Sequence, residues 1–300
     1  MNDEPVSSDQ IRRVRRFNRV VTQRIGALEN SYLHRGRPLA EARLIFEIGE
    51  AGIDAPTLRR RLRLDAGYFS RLMKSLEGQG LVSASPEAED RRVRRVALTP
   101  EGLAERAAYE SLSDELAGMI LGPLEPKERD RLVAAMGEVQ RLVLASAVAV
   151  RPELPGSPDA QWCLKAYFKD LAERFDRGFD PKRSNPAALK DMRPPRGVLM
   201  IARIDGQPVG CGALKRKDDR IGEIKRMWTA PEHRGNGVAR RVLRALEGAA
   251  RDFGLTTLQL ETNRTLKEAQ ALYENEGYRE VAPFNDEPYA HHWFEKTLRP

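Results

Sequence analysis

Cysteine is nearly missing. Cys163 and Cys211 are the two in 300 residues, too few for a disulfide framework, and their spacing fits no metal-ligand pattern. No run of about 18 apolar residues occurs, so no membrane-spanning helix is expected. The opening Met1-Asn2-Asp3-Glu4-Pro5 has no basic cap followed by an apolar stretch, so no secretory signal is expected either. Charge of one sign is also lacking: 51 Lys and Arg face 44 Asp and Glu, a formal net charge of +7. With 41% hydrophobic and 32% charged residues, the composition is that of a soluble globular protein rather than a disordered one. The expected address is the cytoplasm. At roughly 150 residues per domain, the length suggests two domains, each large enough for its own core.

Neither half is basic overall: residues 1–150 hold 24 basic and 22 acidic side chains, residues 151–300 hold 27 and 22. The excess is local. From Pro56 to Val96 there are ten basic residues against five acidic ones, and clustered guanidinium groups are what a phosphate backbone attracts. A solvated helix face would show the same run.

Ile11, Val14, Phe17, Val21, Ile25, Leu28 and Tyr32 recur at three- and four-residue steps, which predicts one amphipathic helix over 10–33. Its seam could be buried in the same chain or pair with a second copy. A helix over 39–49 follows, and Pro56-Thr57 opens a short one through Leu62. Asp65 is an N-cap for a helix over 66–79, which Gly80 ends. Phe69, Leu72 and Leu76 share the inner face of that helix, while Tyr68, Ser70, Arg71, Lys74 and Ser75 look outward. A short helix, a tight turn and a second helix with polar, Arg-bearing outer positions can enter a major groove. Leu81-Val82-Ser83 and the alternating stretch 93–98 then flank a polar tip, a basic hairpin placed to reach the minor groove or backbone. Helices from Thr99-Pro100-Glu101 and over 126–146 complete this half.

The residues Gly67-Tyr68-Phe69-Ser70-Arg71-Leu72-Met73-Lys74-Ser75-Leu76-Glu77-Gly78-Gln79-Gly80-Leu81-Val82, then Asp90-Arg91-Arg92, then Leu98-Thr99-Pro100-Glu101-Gly102 resemble the MarR family of winged helix-turn-helix regulators. The resemblance covers residues 5–146. It implies a homodimer joined by the first and last helices, on double-stranded DNA with a pseudo-palindromic operator. Ser70 and Arg71 would make recognition-helix contacts, with Tyr68 and Lys74 beside them. Arg92 would be the wing tip, flanked by Arg91 and Arg94, with Asp90 holding the wing arginines.

The second half mixes strands and helices, the pattern of an α/β or α+β domain with a mixed sheet. Strands are expected over 147–151, 198–204, 209–214, 221–229, 258–262 and 289–298, with Asp205-Gly206 as a hairpin turn. Helices are expected over 160–175, from Gly237 to Gly254 and over 266–276. Between the strand ending at Thr229 and its following helix lies Pro231-Glu232-His233-Arg234-Gly235-Asn236-Gly237-Val238-Ala239. Two glycines let backbone N–H groups converge, and the helix adds its positive dipole end, a device that binds pyrophosphate. The three-glycine dinucleotide pattern and the Gly-Lys-Ser/Thr of a Walker loop are both absent.

Arg234, Gly237 and Ala239 complete the coenzyme A signature R-x-x-G-x-A. Glu223-Ile224-Lys225-Arg226-Met227-Trp228-Thr229 precedes it, and Leu260-Glu261-Thr262-Asn263 and Ala271-Leu272-Tyr273-Glu274-Asn275-Glu276-Gly277-Tyr278 follow. These four ordered blocks make residues 147–298 resemble the GNAT acetyltransferases. The resemblance implies acetyl-CoA as acyl donor and no metal. Met227 and Thr229 would meet the pantetheine arm, the amides of Arg234, Gly235, Asn236, Gly237, Val238 and Ala239 the pyrophosphate, and Asn263 the pantetheine region. Tyr273 would protonate the departing sulfur, and Glu223 would be the base, or else a surface partner of Lys225. A backbone N–H near Met227 would support the oxyanion. The segments 179–185 and 284–294 would border the acceptor pocket. His291 and His292, neighbours on a strand, point to opposite faces and cannot share a metal.

The domains expected are therefore 1–146, a winged helix-turn-helix for DNA binding and dimerisation with a two-stranded wing, and 147–300, a GNAT-like acetyltransferase. Three readings of the whole chain stand side by side. One is a bifunctional regulator that acetylates a small amine such as an amino acid. The others are a pure regulator sensing acyl-CoA or a metabolite, and a protein-lysine acetyltransferase recruited to DNA.

Overall fold

The computed structural model describes residues 5–86, 94–176, 178–181, 183–184 and 188–298. The chain forms two compact units, Met1–Val133 and Ala134–Pro300. The division falls inside the helix Pro126–Ala147, whose last residue, Ala147, lies against the same apolar cluster as Val148.

In the first unit α1 (Ser8–Arg24) starts on a capping box between Ser7 and Gln10 and buries no residue. It is shorter than the sequence seam suggests. Gly26 turns left-handed (φ 66°), and the chain re-enters a single 3-10 turn at Tyr32–His34. The core comes from α2 (Leu39–Ile48), α3 (Ala55–Arg61) and α4 (Ala66–Gly78), through Leu44, Ile45, Leu58, Leu72 and Leu76. Asp54 and Asp65 cap α3 and α4, accepting from the Thr57 and Tyr68 amides at 2.8 Å each. Such caps contribute about 1 kcal/mol each. Strands β1 (Ile53–Asp54), β2 (Val82–Pro86) and β3 (Arg94–Leu98) form an antiparallel sheet in the order β1-β3-β2. The expected two-stranded wing thus gains a third strand, which pattern could not show because it is two residues long. Thr99 caps α5 (Pro100–Leu121), and α6 is Pro126–Ala147.

Arg35 and Arg37 both grip the buried Glu105 of α5, Arg35 through Nε (3.0 Å) and Nη2 (2.6 Å), Arg37 through Nη1 (2.6 Å). The Arg35 hydrogen bond holds the Glu105 carboxyl below its usual range. This contact contributes stability above the ordinary carboxylate range and loses it as pH falls through the lowered value.

The second unit is a seven-stranded sheet in the order β4-β5-β6-β7-β8-β10-β9. Its strands are β4 (Ala149–Glu153), β5 (Gly197–Ile204), β6 (Gln207–Arg216), β7 (Ile221–Thr229), β8 (Thr257–Thr262), β9 (Arg279–Val281) and β10 (His292–Thr297). All neighbours are antiparallel except β7 and β8. Along β5 the side chains alternate: Val198, Met200, Ala202 and Ile204 join a cluster with α8 (Val238–Asp252), while Leu199 and Ile201 join one with α7 (Pro158–Arg174). The two helices therefore cover opposite faces, as period-two strands require. α9 (Lys267–Asn275) carries Tyr273 into the α8-side cluster. Among the described residues no helix is long and apolar enough to cross a membrane.

Candidate functional site

Parallel pairing of β7 with β8 covers only Ile221–Glu223 against Thr257–Gln259. Beyond that point the two strands part, leaving a V whose walls are the ends of β7 and β8. A bulge sharpens the opening. Cys211 opposes Trp228 and Ala213 opposes Lys225, so Arg226 and Met227 together face Gly212, and Arg226 takes φ 58°. A bulge re-aims side chains in this way. Gly212 is required opposite it, since a Cβ there would come within 2.6 Å of both Met227 Sδ and Val242 Cγ1.

Two cavities fill the V. The larger, about 390 Å³, runs from Met227, Trp228 and Thr229 past Arg234, Gly235, Gly237, Val238 and Ala239 to Tyr273. The smaller, about 100 Å³, is bounded by Phe175, Phe179, Glu261, Asn263, Glu287 and Tyr289. Tyr167, Leu171, Met227, Leu266, Ala269 and Tyr273 line both, so the cavities meet there.

The larger cavity ends on the turn into α8. Gly235 and Gly237 are left-handed (φ 76° and 73°), and Gly237 is the N-cap with no side chain to satisfy the first turn. Among the described residues, the amides from Gly235 to Arg240 have no hydrogen-bond acceptor; the next, Arg241, donates to the Gly237 carbonyl at 3.1 Å. No acidic side chain stands in that first turn. These free donors and the dipole end favour an anion. The Thr229 hydroxyl is buried in the same cavity without a partner, an orphan that a polar ligand arm would satisfy.

Several expected site residues take a different part. The Arg234 amide is already used, donating to the Pro231 carbonyl at 3.2 Å. Its guanidinium is held by Asp170 (2.8 and 2.7 Å) and by the Thr229 carbonyl (3.3 Å). Arg234 thus clamps the turn rather than offering donors, and the free amides begin at Gly235. Asn236 is not among the residues lining the cavity. Asn263 lines the smaller cavity instead, and its amide is spent: Nδ2 donates to the Tyr289 carbonyl (2.8 Å), and Oδ1 accepts from the Thr265 amide and hydroxyl (3.0 Å each). Glu223 is buried but lies at the closed foot of the V, in register with Gln259 and 3.9 Å from Lys215. It lines neither cavity. Lys225 pairs with Glu261 instead. His291 and His292 also line neither, and His292 pairs with Glu280 at 2.7 Å.

Tyr273 lies where the two cavities meet. Burial first, then the neighbouring Tyr167 hydroxyl and Glu261 carboxylate, raises its phenol well above the ordinary value, so it remains protonated across neutral pH. Tyr167 was not singled out by the sequence; burial pushes its phenol up to about 12, with the Arg226 guanidinium pulling the other way. Arg226 and Glu261 carry no sequence signal of their own, because their places depend on the bulge in β7 and on the parting of β7 from β8. The two bordering segments do meet: Phe179 and Ser184 from one, Glu287, Tyr289 and Ala290 from the other. Among the described residues no group of three or more His, Cys, Asp and Glu could hold a metal.

In the first unit Tyr68, Ser70, Arg71 and Lys74 are exposed on α4, with the Arg71 guanidinium 5.7 Å from the centre of the Tyr68 ring. Ser75 is not outward: its hydroxyl donates to Glu41 at 2.8 Å. Arg94 is exposed on β3, 3.4 Å from Glu77. Asp90, Arg91 and Arg92 lie outside the described residues. Arg59, Arg60 and Arg61 at the end of α3 add exposed positive charge beside α4 in the chain.

Comparison with known proteins agrees with both halves. The pattern of the Acetyltransferase (GNAT) family matches residues 164–278, and that of the MarR family residues 35–93. An IAA acetyltransferase of Azospirillum brasilense is 36% identical over 124 residues, 40% of this chain and 80% of that protein. The uncharacterised N-acetyltransferase YsnE of Bacillus subtilis is 36% identical over 108 residues, 35% of this chain and 72% of its own length. A solved GNAT family acetyltransferase from Staphylococcus aureus covers 51% of this chain and 100% of itself, at 17% identity and a TM-score of 0.44.

Proposed function

The chain belongs to the GNAT acetyltransferase family and carries a MarR family domain ahead of that domain, and from this premise we propose a bifunctional protein. Its first domain binds operator DNA as a homodimer, and its second transfers an acetyl group from acetyl-CoA to a small amine. DNA and coenzyme A as ligands both suit the cytoplasm. The proposed division of labour is residues 1–146 for DNA and self-association, and 147–300 for acetyl transfer.

The observation that carries the enzymatic part is the run of free amides from Gly235 to Arg240 opening on the same cavity as Thr229, Met227 and Tyr273. These groups fit coenzyme A: the amides and the α8 dipole meet its diphosphate, and the Thr229 hydroxyl and the β7 edge meet its amide-bearing arm. Acetyl-CoA supplies the thioester whose acetyl carbon bonds to the amine nitrogen as the carbon–sulfur bond breaks. A backbone N–H of the β7 bulge near Met227 stabilises the charge developing on the acyl oxygen. Tyr273 then donates its proton to the departing sulfur. The amine must shed a proton, and its proposed acceptor is Glu261, whose Oε2 has no donor and which lines the smaller cavity as Glu223 does not.

Exposed apolar side chains on α1 support the homodimer: Ile11, Val14, Phe17 and Val20 are each about half exposed or more, and α1 buries nothing. Tyr68, Ser70, Arg71, Lys74 and Arg94 are the DNA contacts proposed here, with Arg91 and Arg92 from the wing.

Incubating the full chain with acetyl-CoA and a panel of amino acids and amines, and following thiol release, tests the reading. Release dependent on one class of amine is expected. Binding of acetyl-CoA with no release for any amine would instead favour the acyl-CoA sensor.

A further inference from the structure

The smaller cavity contains charge that the protein itself leaves unmatched. Four charged side chains line it: Lys225, Arg226, Glu261 and Glu287. Lys225 is paired with Glu261, and Glu287 accepts from the Ser184 hydroxyl at 3.0 Å. Arg226 is different. Its guanidinium lies 4.4 Å from the Phe168 ring centre and 5.5 Å from that of Tyr167, no carboxylate among the described residues pairs with it, and its Nε is buried without an acceptor. Arg174 and Arg234, on the wall of the larger cavity, each hold a carboxylate. A partly buried guanidinium set against two aromatic rings, with no carboxylate paired to it among the described residues, is placed to take an anion.

Glu261 shows the complementary shortfall. One carboxylate oxygen holds Lys225, while Oε2 is buried with no donor. Its side chain is 10% exposed. A carboxylate offers about four acceptor sites, so Glu261 has room for a further N–H donor. It shares the wall of the smaller cavity with Tyr167 and Tyr273, which also line the larger one. One part of the wall is aromatic and apolar: Phe179 lies 4.8 Å from Tyr289 and 5.7 Å from Phe175 between ring centres, and Leu171, Leu266 and Ala269 line the same cavity.

Resting on the acetyltransferase reading above, we propose that the acceptor is an α-amino acid with an apolar side chain. Its carboxylate meets Arg226, its amino group meets Glu261 at the junction of the two cavities, and its side chain lies on Phe175, Phe179 and Tyr289. Two cations and two anions among the lining residues suit a ligand carrying one charge of each sign. A plain amine would leave Arg226 without a carboxylate, and a plain acid would leave Glu261 Oε2 without a donor. This arrangement also delivers the amino nitrogen to the side on which Tyr273 stands.

Matched pairs test it: L-phenylalanine against 2-phenylethylamine, and L-leucine against 3-methylbutylamine, measured as kcat/KM for acetylation by the full chain. The amino acids are expected to exceed their decarboxylated partners at least about 100-fold, the range of a lost charge-assisted pair. Arg226→Gln should remove most of that advantage by lowering the amino acids and leaving the amines within about threefold, and Arg226→Lys should restore part of it. Amines used as well as amino acids by the unaltered protein would overturn the proposal. So would an Arg226→Gln that lowers both members of a pair equally. Should no acetylation occur, calorimetry of the same ligands on protein saturated with coenzyme A still decides: phenylalanine or leucine binding at least tenfold tighter than its amine upholds the acceptor class, and equal or no binding ends it.

Discussion

On α1 of the N-terminal unit the groups without partners are apolar and exposed: Phe17 is 51% exposed, with Ile11, Val14 and Val20 on the same helix. Around the two cavities of the C-terminal unit they are polar: the amides from Gly235 to Arg240, the Thr229 hydroxyl, Arg226 Nε and Glu261 Oε2. The two kinds of vacancy call for different occupants. Apolar surface gains about 25 cal/mol per Å² from any complementary apolar surface, which suits a second copy of the chain. A buried donor or acceptor gains only from a ligand with the matching atom in the matching place, which suits a small molecule.

Loss of one atom should therefore weigh more in the second unit than loss of one side chain in the first. Tyr273→Phe is expected to have the largest effect, lowering kcat about 100- to 1000-fold, the range of a general acid, with coenzyme A affinity unchanged within about threefold. Because burial raises the Tyr273 phenol, its protonated form persists above pH 10, so the pH profile of kcat should climb as the amine deprotonates and show no falling limb below that pH. A falling limb centred between pH 8 and 9 would remove Tyr273 from the acid role.

Phe17→Glu should come next. A fully buried aromatic side chain contributes about 1.5–3 kcal/mol, the substitution acts twice in a symmetric pair, and it adds a charge to an apolar contact. Dimer dissociation measured by sedimentation is expected to rise at least about 100-fold, with acetyl transfer retained. A dimer unaffected by this change would mean that α1 covers something else.

Arg71→Ala should be the mildest of the three, weakening operator binding about tenfold and lowering the slope of log K against log salt by about one. An equal loss of affinity with no change in slope would point to a base contact rather than a phosphate contact.

Local signals were legible where a backbone turn needs a particular residue. Asp65 and Gly80 bracket α4, Asp205-Gly206 turns β5 into β6 (φ 52° and 79°), and Gly235 and Gly237 shape the entry to α8. These depend on neighbours in the chain. Tertiary effects were not legible in this way. The end of α1 at Arg24 is fixed by Gly26, whereas the apolar spacing runs on to Tyr32. Glu223 matched a pattern but sits where β7 and β8 still pair, and only the register tells that it falls short of the opening. Asn263 has the expected chemistry but gives both ends of its amide to Tyr289 and Thr265. Arg226 gains its position from a bulge that no residue type announces, although Gly212, opposite it on β6, marks a close approach.

The amides at the start of α8 are the foundation of the enzymatic account, and calorimetry of the full chain with coenzyme A and with pantetheine, which lacks the diphosphate, addresses them most directly. Coenzyme A is expected to bind at least about 100-fold tighter than pantetheine, since the diphosphate would satisfy several of those donors at a helix N-terminus. Equal affinity for the two, or no affinity for coenzyme A, would contradict the account.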